Sequence, residues 1–307
     1  MATRTNRTSR IRNRIAGAAL LICSAALGAC RTTPEVVPPA SIAAARGWKE
    51  LGITAVQETP HVFYRHSPWA GLSHRDMRTT EEHVLAVAKG LDIRPPRRLL
   101  YLVVSPEWLR EQTGTARRSE SIPRPGLSVI EDWGEHPGDR TGSQGSRASG
   151  ENTLFDGVVL SVSATDLHEI THCVSGLLLS PETYLFRCPL TFEGLAVAWD
   201  GRPRERANER VKELWPSEGP LLPTDLIDGF PDAPAGRVDL AYNVSGSFVR
   251  YLLQRRGRED FREVFRARKD AFRSTFERVY GEPVESFQSR WLAELGLDSS
   301  SLEVTDE

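Results

Sequence analysis

Residues 168–172 read His-Glu-Ile-Thr-His, and no other stretch limits the fold as tightly. Residues four apart lie one above the other on a single face of an α-helix. The surrounding sequence asks for that helix. Ser163-Ala164-Thr165-Asp166 is a capping-box pattern that starts a helix just before His168. Leu167, Ile170, Val174, Leu177 and Leu178 then recur at helical spacing, as an apolar stripe adjoining the histidine face. Val158-Val159-Leu160, immediately upstream, reads as a strand. The segment therefore predicts a strand feeding a helix that is buried on one side and offers two histidines on another.

The rest of the chain fits around that unit. Its 307 residues are 39% hydrophobic, enough for one large core or two small ones. With 39 Lys+Arg against 41 Asp+Glu, a strongly basic nucleic-acid binder is excluded. No solenoid-type repeat is present. The pattern predicts a short helix over 41–51, a strand over 61–66 and an amphipathic helix over 79–91, with Val84, Leu85, Val87, Ala88 and Leu91 on its apolar side. Pro95-Pro96 breaks the chain, and residues 98–104 form a strand apolar enough to be buried on both faces. A short helix over 106–112 and strands over 126–130 and 157–162 follow. Residues 131–152, rich in Gly, Ser, Arg and Asp, read as a surface loop that carries Glu135 and His136. From residue 163 to about 296 the signal is helical throughout. The expectation is an α+β fold: an α/β lobe with a small sheet over 46–162, an all-helical lobe over 163–296 and a flexible tail over 297–307.

The first thirty residues read as an address. Residues 1–14 hold five arginines and no acid, and 15–29 are an apolar run too short to span a bilayer. The run ends Leu27-Gly28-Ala29-Cys30, which resembles the bacterial lipobox. That resemblance implies a signal peptide over 1–29, lipid attachment at Cys30 and a tether over 30–45 in the bacterial cell envelope. Arg31, where an Asp would favour retention at the inner membrane, leans towards the outer membrane. Cys173 and Cys188 are then an even pair in an oxidising compartment. Bridged, their loop would stabilise the fold by roughly 3 kcal/mol; the other reading is two buried free thiols.

Two imidazoles at i and i+4 can grip one Zn2+ at about 2.1 Å each, with the intervening Glu169 placed to take a proton from a water. Catalytic zinc usually has three protein ligands. No His follows His172, so the third must be a carboxylate, a Cys or an upstream His. Glu193, in Thr191-Phe192-Glu193-Gly194-Leu195-Ala196, is the best candidate. It sits near the start of a predicted helix that runs to Trp199, with Gly201 and Pro203 as stop signals. Gly194 beside it allows a close approach by another backbone or by the metal shell. Alone, Glu193 would read as a first-turn acid complementing the helix dipole.

His-Glu-Ile-Thr-His followed twenty residues later by an E-G-L-A helix resembles the gluzincin metallopeptidases. More narrowly it is similar to the peptidase MA-like proteins of bacterial envelopes. Residues 241–252, Ala-Tyr-Asn-Val-Ser-Gly-Ser-Phe-Val-Arg-Tyr-Leu, and Phe276-Glu277-Arg278-Val279-Tyr280-Gly281 with Phe287 and Trp291 look like that family's later helices. The resemblance covers about 60–295. It implies a zincin-like fold with the active site between the lobes, one Zn2+ and peptide-bond hydrolysis. His168, His172 and Glu193 would be the ligands and Glu169 the base. In gluzincins a downstream Tyr or His often stabilises the oxyanion, and Tyr242 is the candidate; a core Tyr in the stripe Tyr242, Val249, Leu253 is the equal alternative. The chain departs from thermolysin-type relatives at Val197, where an Asp is expected, and Asp200 lies off that face. The aminopeptidase sequence G-A-M-E-N is absent, which argues against an exopeptidase. The leading expectation is a lipid-anchored envelope zinc metallopeptidase acting on a peptide or protein substrate. The other class is a metal-binding envelope lipoprotein acting in binding or assembly without turnover. Oligomeric state has no sequence signal.

Overall fold

The computed structural model describes residues 55–67, 70–105, 119–129, 153–203, 205–230 and 237–297. The leader, Cys30, the tether, the helices expected over 41–51 and 106–112, the loop over 131–152 and residues 298–307 lie outside these.

The N-terminal part is a five-stranded sheet. Strands β1 (Ala55–Glu58) and β2 (Val62–His66) form an antiparallel pair. Helix α1 (His74–Gly90) follows. It begins five residues before the expected start, because Ser73 and Asp76 form a reciprocal capping box. Parallel strands need a crossover, and α1 supplies it between β2 and β3 (Leu99–Val103). Strands β4 (Ser119–Val129) and β5 (Thr153–Ser161) complete the sheet in the order β1-β2-β3-β5-β4. Strand β5 runs parallel to β3, while β4 pairs antiparallel with β5 at the edge, with a register shift between Pro123 and Leu127.

Both faces of the central strands are buried, as the continuous apolar run in β3 requires. Val62, Tyr64, Leu99, Tyr101, Val103 and Val159 join one core with Val84, Val87 and Ala88 of α1. Phe63, Leu100, Leu102, Val158 and Leu160, on the opposite face, are equally closed to solvent.

The C-terminal part is helical. Helix α2 (Leu167–Gly176) carries the two histidines and packs along β4, β5 and α1. After it come α3 (Pro181–Leu185), α4 (Pro189–Ala198) and α5 (Arg206–Glu218). Helix α6 spans Val238–Phe265 and kinks at Gly257, where φ is 81°. Helices α7 (Phe272–Tyr280) and α8 (Val284–Leu295) close the lobe through rings of Phe248, Phe276, Tyr280, Phe287 and Trp291. The architecture is α+β, a small mixed sheet followed by a helical part. Among the described residues no helix is long and apolar enough to cross a membrane.

Candidate metal centre

Helix α2 starts where the sequence placed it, but with a different cap. Asp166 is the N-cap and accepts from the Glu169 amide at 3.3 Å. Ser163 instead turns its hydroxyl to the Thr165 carbonyl at 2.9 Å. Ile170 and Val174 anchor the helix in the core, leaving His172 buried and His168 half-buried on the face turned towards α4.

Helix α4 brings Glu193 to that face. Glu193 lies in the middle of the helix and not at its start, which removes the dipole reading. Its neighbour Gly194 sets the approach. A Cβ there would stand 2.5 Å from the Ser245 carbonyl oxygen and 2.6 Å from Val249 Cγ2. Gly246 does the same from α6, where a Cβ would fall 2.3 Å from Val197 Cγ1. The two helices thus meet backbone to backbone, and Val197 fills this contact.

The result is a convergent donor set. His172 Nε2 is 3.0 Å from Glu193 Oε2 and 3.1 Å from His168 Nε2, and His168 Nε2 is 3.5 Å from Glu193 Oε2. A tetrahedral zinc with bonds of about 2.1 Å has ligand atoms about 3.4 Å apart, so these edges suit one zinc ion. This is the only group of three His, Cys, Asp or Glu side chains among the described residues whose donor atoms converge on one point. Burial pushes the Glu193 carboxyl up, but the His172 charge and hydrogen bonds from both histidines outweigh it and hold the group well below the usual range. For His168, burial favours the neutral ring, yet the Glu193 hydrogen bond and the Glu169, Glu193 and Asp166 charges leave its pKa raised.

The other predicted residues are near. Glu169 is 9% exposed and its charge reaches His168. The Tyr242 ring meets the His168 ring edge-on, with centroids 5.8 Å apart, and packs on Phe230 at 5.0 Å. Tyr242 thus belongs to the site's wall and is half-buried, not sealed in the core. Asp200 turns away to Arg202.

The disulfide is not formed: Cys173 and Cys188 are both buried and stand unbridged as thiols. Cys173 points from α2 to the sheet, donating to the Val158 carbonyl at 3.4 Å, beside Gly157. Cys188 is the N-cap residue of α4, its thiol pushed up to about 12 by burial. Each is committed to a different packing contact.

Three residues at the site were not anticipated. His83 of α1 contacts the Leu167 carbonyl at 3.1 Å and the Thr171 hydroxyl at 2.9 Å through Nε2, tying α1 to the first turn of α2. Burial pulls its pKa down to about 4. Phe192 stacks on His172, and Arg187 lies over the Phe192 ring at 4.5 Å. In sequence, a His among polar helix residues and a Phe before an acid carry no such signal.

No protein-family model and no curated protein matches the chain.

Proposed function

We propose that the protein is a zinc metallopeptidase of zincin type, anchored by lipid at Cys30 in the bacterial envelope, and that it hydrolyses peptide bonds. The observation that carries this reading is the donor triangle of His168, His172 and Glu193, with edges of 3.0, 3.1 and 3.5 Å. The leader and Leu27-Gly28-Ala29-Cys30 support the location. Zinc held there would supply a Lewis acid that polarises an amide carbonyl and acidifies a water. Glu169, next to His168 on a helix whose backbone is fixed by the Asp166 cap, would be the base that takes a proton from the attacking water and returns it to the leaving amine. The Tyr242 hydroxyl donates to the oxyanion that develops on the former carbonyl.

Binding or assembly around a metal without turnover is the second reading. One observation favours it: His172 Nδ1 is buried without a hydrogen-bond partner among the described residues. Metal-ligating histidines normally pass that N–H to an acceptor. Turnover of a broad peptide library by the metal-loaded protein, abolished by a chelator and restored by zinc, supports the peptidase. Zinc uptake with no cleavage supports the binding protein. Absence of zinc from native and from reconstituted protein contradicts both.

A further inference from the structure

We infer that Phe192 is the positioning residue of His172, its ring doing the work that a hydrogen-bonded carboxylate does for most metal-ligating histidines. The inference rests on the metal reading above. His172 is buried, and its Nδ1 meets no hydrogen-bond partner among the described residues, so the far side of the ring from the donor set has no polar anchor. The Phe192 ring lies 4.3 Å from it, centroid to centroid, and within 13° of parallel. A face-to-face contact this close leaves the imidazole one plane, the plane that aims Nε2 at Glu193 and His168.

Phe192 is itself held from several sides. It is 3% exposed. Tyr184 meets it edge-on at 5.7 Å, and Phe265 lies nearly parallel at 6.1 Å. The Arg187 guanidinium stands over both the Phe192 and Tyr184 rings, at 4.5 and 4.3 Å, and is fixed by a 2.8 Å hydrogen bond to the Tyr184 carbonyl. Phe192 also precedes Glu193 on α4. One helix therefore delivers the third donor and the plate that orients the second, and its backbone contact with α6 at Gly194 fixes both together.

The test compares Phe192→Leu with Phe192→Tyr and with Phe276→Leu, a core truncation of the same size away from the histidines. Zinc affinity is read by competition with a chromophoric chelator, ligand geometry by the visible spectrum of the cobalt form, and folding by thermal unfolding. Phe192→Leu should bind zinc about 10- to 100-fold more weakly and alter the cobalt spectrum, as loss of an orienting partner does. Phe192→Tyr, which keeps the flat ring, should restore affinity, and Phe276→Leu should lower the melting temperature without touching it. Equal zinc affinity in Phe192→Leu and Phe276→Leu overturns the inference while leaving the metal reading intact. Native protein that takes up no zinc overturns both. Should Phe192→Leu fail to fold, Phe192→Met makes the same comparison with the side-chain length retained.

Discussion

Replacing Gly194 by alanine should damage the protein, although alanine is the better helix former. Ala in a helix interior gains about 0.5–1 kcal/mol over Gly. Against that, the new methyl would stand 2.5 Å from the Ser245 carbonyl oxygen and 2.6 Å from Val249 Cγ2, where real contacts stay above 3.0 Å. Val249 can yield by a small adjustment; a carbonyl inside α6 cannot swing away without losing its helical hydrogen bond. Helices α4 and α6 must therefore part by about 0.5 Å. Overpacking of this kind costs about 1–3 kcal/mol, so the net loss centres on about 1 kcal/mol and reaches about 2.5 kcal/mol, or up to about 10 °C in Tm at this size. The same movement carries Glu193 with it. Metal–ligand distances tolerate about 0.2 Å, so zinc affinity should fall about tenfold or more. Thermal unfolding and chelator competition on the purified variant measure both effects. A Gly194→Ala protein with raised Tm and native zinc affinity would refute the argument that this glycine sets the approach of the third ligand.

Acid should weaken the fold through His83. Its pKa of about 4 in the folded chain lies below the free value of 6.5, so between these pH values the unfolded chain takes a proton that the folded one refuses. This contribution is complete above about pH 6.5 and declines towards pH 4 by up to about 3 kcal/mol; urea titrations of native and His83→Gln protein should show that pH slope in the native protein alone. A slope shared equally by the variant would point to other groups. Cys173 and Cys188 should stay inert to a thiol reagent in the folded protein and react as two thiols after denaturation, with the same intact mass under reducing and non-reducing conditions. A two-dalton loss without reductant, the mass of two hydrogens, would show a bridge after all. Glu193→Gln should lower zinc affinity and recover part of any activity in excess zinc, whereas unchanged affinity would remove Glu193 from the ligand set.

The sequence was most legible where a periodic pattern coincided with a chemical one. The helix holding His168 and His172 was marked by spacing, the buried β3 run by its continuous apolar residues and the Glu193 helix by the Gly201 and Pro203 that follow it. What was not legible depended on direction in three dimensions. Ser163, Thr165 and Asp166 can each cap a helix, and only the turn after β5 decides that Asp166 does. An even number of cysteines says nothing of where the thiols point: Cys173 faces the sheet and Cys188 starts another helix. β1 is four residues long, Ala-Val-Gln-Glu, half-exposed at the edge of the sheet, and too short for alternation to register. Phe192 reads as one more apolar helix residue until its ring is seen against His172.

In the proposed function His168, His172 and Glu193 hold a zinc ion for a reaction in which Glu169 moves the proton. The most direct measurement is zinc stoichiometry alongside hydrolysis rate for native protein and Glu169→Gln, on a substrate drawn from the peptide library. Glutamine keeps the shape and a hydrogen bond but cannot accept the proton. One zinc per chain in both proteins is expected, with hydrolysis about 100- to 10,000-fold slower in the variant, the size of a lost general base. A zinc-loaded Glu169→Gln protein that cleaves at the native rate would contradict the account.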